Sequence, residues 1–350
     1  MIAIFLQDTY TACLTKCCIH VPMIIITGGA GFIGSHIVKQ LESTSYSDIV
    51  ICDVLGNGDK WKNIAKREVA HIIKPDELFE FINDQEKDIE TIFHMGAISS
   101  TTETDADLII RSNFNLTMDL WNWCSKHKAA LIYASSAATY GIGTLGFSDN
   151  NSPESLARLA PLNPYAWSKH AVDRRIARIV SNNGPRPSQW AGLKFFNVYG
   201  PNEYHKAGQL SVVYKSYKEI VETGKALLFR SHNPKYKDGE QMRDFVWVGD
   251  CVNIALWLQR NPNISGIFNV GTGKARTFKD LARSVFSAIK QEPSIEYIDM
   301  PAAIQAQYQY FTEADMSRLV SAGYQTRPTS LEEGVKKYVE DFLSTSDLYT

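Results

Sequence analysis

The stretch Met23-Ile24-Ile25-Ile26-Thr27-Gly28-Gly29-Ala30-Gly31-Phe32-Ile33-Gly34 decides the fold. Its first five residues are apolar and mostly β-branched, which predicts a buried strand. The pattern G-x-x-G-x-x-G follows at once, and residues 35–41 then have helical character, so a tight glycine turn joins a strand to a helix. Asp53 ends the next apolar run, nineteen residues after Gly34. This spacing is typical of a βαβ unit that binds a dinucleotide, with the pyrophosphate at the helix N-terminus.

Strands and helices continue to alternate as far as about residue 195. Three further apolar runs predict strands: 49–52, 90–94 and 130–134. The segments 76–83 and 107–127 between them predict helices. Alternation of this kind predicts an α/β protein with a Rossmann-like, doubly wound parallel sheet.

The chain is expected to have two domains and a short extension. Residues 23–195 are predicted to form the NAD(P)-binding domain, to which a segment at about 246–272 returns. Residues 196–345, where loops lengthen and the order becomes less regular, are predicted to form a smaller α/β substrate domain. Residues 1–22 lack the basic start of a secretory signal, so we expect a disordered or mis-assigned extension.

The composition excludes several function classes. Apolar residues make up 44% of the 350 residues and charged residues 21%, which is typical of a soluble globular protein. A net charge of −2 provides no basic excess for nucleic acid. No apolar run reaches the roughly 18 residues that a membrane span needs. The six cysteines have no zinc-binding spacing, which predicts no metal site and free thiols in a reducing cytoplasm.

Tyr165 and Lys169 form a second chemical motif. They lie four residues apart at the start of a predicted helix and therefore share one face of it. The ammonium is expected to lower the pKa of the tyrosine, which favours proton exchange near neutrality. A surface helix face is the ordinary explanation of an isolated pair. Ser136 changes the interpretation, because it follows the strand predicted at 130–134, where such sheets bind ligands. Together with the glycine loop, the pattern predicts a hydride-transfer site.

Asp53 and Lys60 bear on the choice of cofactor. An aspartate at the end of the second strand accepts hydrogen bonds from the adenosine ribose and favours NAD. Lys60 is close enough in sequence to meet the additional phosphate of NADP. The residues alone leave both cofactors open.

Further motifs extend the pattern over the chain: Phe93-His94-Met95-Gly96-Ala97-Ile98-Ser99-Ser100-Thr101-Thr102-Glu103, Tyr133-Ala134-Ser135-Ser136-Ala137-Ala138-Thr139-Tyr140-Gly141, Phe196-Asn197-Val198-Tyr199-Gly200-Pro201 with Glu203 and His205-Lys206, Arg243-Asp244-Phe245-Val246-Trp247-Val248-Gly249-Asp250, and Gly266-Ile267-Phe268-Asn269-Val270-Gly271-Thr272-Gly273. With them, the sequence resembles the extended short-chain dehydrogenase/reductase family, the NAD-dependent epimerases and dehydratases, from residue 23 to about 345. The block 99–103 and His205-Lys206 are the most specific motifs, and they resemble the members that epimerise ADP-heptose.

The resemblance implies an isomerase that interconverts ADP-D-glycero-β-D-manno-heptose and its L-glycero epimer, which supplies heptose for the lipopolysaccharide inner core. In that reaction a tightly bound NADP, or alternatively NAD, takes hydride from C6″ and returns it to the opposite face. The partner is then an ADP-sugar, with neither nucleic acid nor membrane involved, and we expect a cytoplasmic homo-oligomer.

The resemblance also implies roles for individual residues. Ser136, Tyr165 and Lys169 match the catalytic set, and Lys206 matches a second acid/base. The implied cofactor contacts are Gly28, Gly31, Phe32, Ile33, Gly34, Asp53, Val54, Lys60, Met95, Gly96, Ala97, Ser99, Ser112, Lys169, Val198 and Lys206. The implied substrate contacts are Ser136, Asn197, Gly208, Lys215, Phe229, Arg230, Ser231, His232, Arg243 and Tyr308.

Two other functions compete with this hypothesis. One is a nucleotide-sugar 4-epimerase or dehydratase acting on a UDP- or dTDP-hexose, although a dehydratase is expected to carry Asp-Glu where this chain has Ala138-Thr139. The other is a dinucleotide sensor without catalysis. An intact set of Ser136, Tyr165 and Lys169 argues against a sensor, which needs no proton donor.

Overall fold

The structure is a computed structural model that describes residues 22–44, 48–305 and 308–350. The extension predicted at 1–22 therefore lies outside the described residues, apart from Pro22. The strands are β1 (Met23–Thr27), β2 (Asp48–Cys52), β3 (His71–Ile73), β4 (Ile89–His94), β5 (Ala130–Ser136), β6 (Trp190–Phe195), β7 (Asn197–Tyr199), β8 (Ala226–Phe229), β9 (Met242–Arg243), β10 (Phe245–Trp247), β11 (Gly266–Val270), β12 (Arg276–Thr277) and β13 (Ile295–Ile298). The α-helices are α1 (Phe32–Glu42), α2 (Leu78–Asp84), α3 (Ala106–Ile109), α4 (Leu116–His127), α5 (Pro153–Ala157), α6 (Pro164–Ser181), α7 (Val212–Thr223), α8 (Val248–Arg260), α9 (Phe278–Ala288), α10 (Ala302–Gln305), α11 (Ser317–Ser321) and α12 (Leu331–Tyr338).

Seven parallel strands form the main sheet, in the order β11-β6-β5-β4-β1-β2-β3. β1 lies between β4 and β2, so the winding of the chain reverses at β1 and β4. Ligands of open parallel sheets bind outside the carboxyl ends of the strands at such a reversal. This sheet confirms the predicted fold class and directs attention to the ends of β1 and β4.

Helices cover both faces of the sheet, as the apolar runs predict. Ile24 and Ile26 of β1 face α1 and α8, whereas Ile25 faces the layer of α2, α4 and α6. None of these three isoleucines is exposed, because consecutive residues of a strand point to opposite, covered faces.

A smaller layer lies beyond the sheet. β8 and β13 pair in parallel, and the helices α7, α9 and α12 pack around a separate apolar cluster that includes Leu228 and Val285. β11 lies at the edge of the main sheet beside β6, although it follows β8–β10 in sequence. The predicted domain boundaries at 195 and 345 stay a prediction.

Two predicted segments differ in detail from the structure. The helix expected at 107–127 contains a π-helical segment, Ile110–Asn115, between α3 and α4. In the segment predicted to return at about 246–272, α8 begins only at Val248, because Phe245–Trp247 pairs with β7 as a strand. In the parts of the chain that the structure describes, no helix combines the length and the apolar character that crossing a membrane requires.

Candidate active site

A cavity of about 430 Å³ opens at the carboxyl ends of β1 and β4, between the sheet and the smaller layer. It brings together most of the residues predicted to bind a cofactor, and all four predicted catalytic residues. Those present are Gly28, Gly31, Phe32, Ile33, Gly34, Asp53, Lys60, Met95, Gly96, Ala97, Ser99, Ser136, Tyr165, Lys169, Val198 and Lys206, and Asn197, a predicted substrate contact, lines the cavity with them.

The glycine loop forms one wall of this cavity. Gly28 has φ +67°, and a β-carbon there would lie 2.6 Å from the backbone nitrogen of Gly96. A β-carbon on Gly34 would collide with the carbonyl oxygen of Gly28. Gly31 caps α1 without a side-chain hydrogen bond, which leaves the first N–H groups of the helix to a ligand. The loop therefore fits a dinucleotide pyrophosphate.

Asp53 joins the glycine loop to Lys60. One carboxylate oxygen accepts the N–H of Ala30 at 2.9 Å, and the other accepts the Lys60 ammonium at 2.5 Å. The Lys60 ammonium also donates to the carbonyl of Val54 at 3.1 Å. A cation thus lies directly beside the carboxylate that would bind the adenosine ribose.

Ser136, Tyr165 and Lys169 come together from two elements. Ser136 is the last residue of β5, and the other two lie one turn apart at the start of α6. Asn163 caps this helix, because its side-chain oxygen accepts the N–H of Ala166 at 2.8 Å. The hydroxyls of Ser136 and Tyr165 are hydrogen-bonded.

The pKa of Tyr165 beside Lys169 differs from the prediction. Burial raises the pKa of Tyr165, and its hydrogen bond with Ser136 only partly opposes this. In the protein without ligands, burial therefore outweighs the lowering of the Tyr165 pKa that was expected from the Lys169 ammonium. Burial lowers the pKa of Lys169 to about 8, although the negative charge of Asp173 acts to raise it. Tyr165 is thus held as a phenol that can donate a proton.

Lys206 approaches from a 3-10 segment, Tyr204–Gln209. Its ammonium lies 4.3 Å from the centre of the Phe32 ring, beside the first turn of α1. Burial lowers the pKa of Lys206 to about 8, although Glu203 opposes this. Its proton is therefore exchangeable close to neutral pH.

Two predicted cofactor contacts lie outside the cavity lining: Val54 and Ser112. The side chain of Val54 is 60% exposed, while its N–H donates to Asp53 and its carbonyl accepts the Lys60 ammonium. The neighbouring residue, Asn113, is buried and makes three hydrogen bonds. Its amide group bonds both backbone groups of Ile98 and donates to Ser168 at 3.0 Å.

The remaining predicted substrate residues lie outside the lining of this cavity: Gly208, Lys215, Phe229, Arg230, Ser231, His232, Arg243 and Tyr308. Arg243 is buried, and its guanidinium lies 5.3 Å from the ring of Tyr308, which also contacts Phe229 edge-on. Arg243 is two residues from Phe245, which does line the cavity. These aromatic and cationic groups form a neighbouring cluster rather than part of the cavity wall.

Other members of the predicted set are occupied by contacts within the protein. Arg230 pairs with Asp299 at 3.2 Å on the surface, and Lys215 donates to the carbonyl of Gly208 at 2.8 Å. The sequence motifs did not predict Gln209 and the segment 210–213, which also line the cavity. These residues follow the His205-Lys206 motif directly, and that adjacency is the signal that points to them.

The comparisons with known proteins agree with this geometry. The model of the NAD dependent epimerase/dehydratase family matches residues 24–271. The chain belongs to this family. The family predicted from the sequence is thereby confirmed, and the protein is an enzyme of the epimerase type.

Two curated relatives and one solved structure cover nearly the whole chain. ADP-L-glycero-D-manno-heptose-6-epimerase of Fusobacterium nucleatum is 47% identical over 93% of this chain and 100% of its own length. The enzyme of the same name from Nitratidesulfovibrio vulgaris is 47% identical over 93% of this chain and 99% of its own. The crystal structure of Helicobacter pylori ADP-L-glycero-D-manno-heptose-6-epimerase has a TM-score of 0.75 at 25% identity, and covers 92% of this chain and 96% of that one.

Proposed function

We propose that this member of the epimerase/dehydratase family is an ADP-L-glycero-D-manno-heptose 6-epimerase. It would interconvert ADP-D-glycero-β-D-manno-heptose and ADP-L-glycero-β-D-manno-heptose by transient oxidation at C6″. Relatives at 47% identity over nearly their full length bear this name, which favours it over a hexose 4-epimerase or a dehydratase.

One observation about the site carries the proposal. A phenol, Tyr165, and an amine whose pKa is lowered to about 8, Lys206, line the same cavity as the glycine loop. An epimerase must serve both faces of one carbon, so the sugar oxygen points in two directions during the reaction. Two proton carriers from different elements suit that requirement better than one.

The cofactor is assigned to the glycine loop, which would hold the pyrophosphate, and to Asp53, which would hold the adenosine ribose. When bound, it supplies reversible hydride transfer. We propose NADP rather than NAD, because the Lys60 ammonium lies 2.5 Å from the Asp53 carboxylate and can approach a 2′-phosphate.

Residues of the chain itself would accept and donate the protons of the reaction. Tyr165, held as a phenol by burial, and Ser136, its hydrogen-bond partner, would contact the sugar oxygen in one orientation. Lys206, partly neutral because burial lowers its pKa to about 8, would meet the oxygen in the other orientation; it would accept the proton when the hydroxyl is oxidised, and Tyr165 would donate one when the ketone is reduced. Lys169, one turn further along α6 in the same cavity wall, would provide positive charge that favours the phenolate when it forms.

The direct test is incubation of the protein with ADP-D-glycero-β-D-manno-heptose and NMR of the product. We expect inversion at C6″ with no net change in the cofactor. Tyr165→Phe should lower turnover by roughly 10²–10⁴-fold, the usual contribution of general acid–base catalysis. Tyr324→Phe, on the far side of the sheet beside Trp257, is the matched control and should keep wild-type activity. Absence of inversion with wild-type protein would remove the assignment.

A further inference from the structure

An ion pair lies in the core directly behind the catalytic side chains. The ammonium of Lys194 on β6 is 2.8 Å from the carboxylate of Asp173 on α6, and neither side chain is exposed. Removal of two charges from water usually costs more free energy than their pairing returns. Apolar side chains at these two positions would fill the core at lower cost, so the retained pair requires another explanation.

Asp173 ties α6 to the strand that ends at the catalytic serine. Its carboxylate accepts hydrogen bonds from the hydroxyl of Tyr133 at 3.1 Å and from that of Ser135 at 2.7 Å. Both donors belong to β5, and Ser135 immediately precedes Ser136. The position of the catalytic helix along β5 is therefore fixed by charge-assisted hydrogen bonds.

Lys194 extends the network to the turn after β5. Its ammonium donates to the Thr139 hydroxyl at 2.6 Å and lies 4.8 Å from the centre of the Tyr140 ring. The Thr139 hydroxyl in turn donates to the carbonyl of Ser136 at 2.8 Å. A continuous path of hydrogen bonds thus connects the ion pair to the backbone of Ser136.

Asp173 also acts on Lys169 through charge. Residues 165, 169 and 173 follow one another at intervals of four and lie along one face of α6. Asp173 raises the pKa of Lys169 against the lowering by burial. Tyr165 on the same helix and His94 of β4 are the other titratable groups near Lys169, and burial keeps His94 neutral.

We propose that Asp173 and Lys194 are positioning residues for the catalytic groups. The pair fixes the strand end that carries Ser136 through Thr139, and the Asp173 carboxylate keeps Lys169 an ammonium at neutral pH. The kinetic test of this inference rests on the proposed epimerase function, whereas the NMR titration of Lys169 does not.

The principal test is the double variant Asp173→Asn/Lys194→Met, which removes both charges and leaves neither buried without a partner. We expect a folded protein with cofactor affinity and KM close to wild type, and with kcat lower by about ten- to a hundredfold, the order that misplaced catalytic groups cost. Because Lys169 loses the charge that raises its pKa, the alkaline limb of the kcat profile should move to lower pH.

A second readout does not depend on activity. In protein labelled with [¹³C]lysine, the Cε resonance of Lys169, identified by its loss in Lys169→Met, should titrate at lower pH in the double variant than in wild type. Replacement of an exposed pair, Lys225→Met/Glu296→Gln, is the matched control and should change neither kcat nor this titration.

Thr139→Val provides a milder variant in case the double variant does not fold. It removes the bond to Ser136 and leaves both charges, so kcat should fall while the Lys169 titration stays in place. A double variant with wild-type kcat and an unshifted Lys169 titration would overturn the inference, as would an unchanged kcat in Thr139→Val. If wild-type protein fails to epimerise the heptose, the proposed function fails, while the Lys169 titration still decides whether Asp173 acts on it.

Discussion

At the scale of single residues, the position of Lys206 suits two roles, a second acid/base or a phosphate clamp, and kinetics can distinguish them. Its ammonium lies beside the first turn of α1, where a pyrophosphate would bind, and its pKa of about 8 suits proton transfer. As a second acid/base, Lys206→Met should lower kcat strongly with little change in KM. As a phosphate clamp, its loss should mainly raise KM, because binding common to ground and transition states is removed.

Steady-state kinetics of Lys206→Met measure the two parameters directly. Lys225→Met, an exposed lysine remote from the cavity, is the matched control. An unchanged kcat with a raised KM would contradict the mechanism in which Lys206 is a second proton carrier.

Lys60 bears on cofactor choice at the same scale. If its ammonium moves from Asp53 to a 2′-phosphate, Lys60→Ala should weaken NADP⁺ by about ten- to a hundredfold, the range of one charge-assisted hydrogen bond at about 1.5–3 kcal/mol. NAD⁺ affinity should change little. Lys62→Ala, which breaks a surface pair with Asp59 at 3.1 Å, serves as the control. Titration of protein fluorescence measures both affinities, and equal effects on the two cofactors would contradict the role.

At the scale of elements, α6 depends on its cap. Asn163 satisfies a free N–H at the turn that carries Tyr165, so Asn163→Ala should lower the free energy of unfolding by about 1 kcal/mol. Turnover should fall as well, since the first turn holds the phenol. Asn163→Asp preserves the acceptor and should keep wild-type stability. Urea unfolding measures the difference, and an Ala variant as stable as the Asp variant would show that the cap contributes nothing.

The elements that sequence could predict are those with a local signal. The glycine loop, Asp53 and the Tyr165/Lys169 pair are each set by spacing within one βαβ unit or one helix turn. The Asp173–Lys194 pair escaped prediction because its members belong to different elements, and nothing local distinguishes a buried Lys194 from a surface lysine. Asn113 was missed for a similar reason, since its partners Ile98 and Ser168 lie 15 and 55 residues away. β3 was missed because its three residues show little burial.

At the scale of the whole molecule, His94 makes stability depend on pH. It is fully buried between the hydroxyls of Thr27 and Thr117, and burial lowers its pKa to about 3. The unfolded chain, with a histidine pKa of about 6.5, binds a proton as pH falls below that value, whereas the folded protein does not. The contribution is therefore fully present above pH 6.5 and is lost between 6.5 and 3, by about 2 kcal/mol at pH 5.

The difference between wild type and His94→Asn isolates this residue, because the other titrating groups are common to both. Urea unfolding at pH 7 and pH 5 should show wild type losing about 2 kcal/mol more than the variant. His71→Asn, at an exposed position on β3, is the control and should follow wild type. Parallel losses in wild type and His94→Asn would contradict the prediction.

The place of β11 at the sheet edge has a consequence for how the chain is made. All six residues of β6 are buried, and β11, which covers the outer edge of β6, begins roughly seventy residues after β6 ends. At a translation rate of about 5–20 residues per second, the ribosome takes about 4–14 s to add that stretch. During this interval the nascent sheet presents an unpaired apolar edge, the surface on which chains aggregate. Because β11 is synthesised late, we expect a chaperone to protect the exposed edge of β6 during this interval.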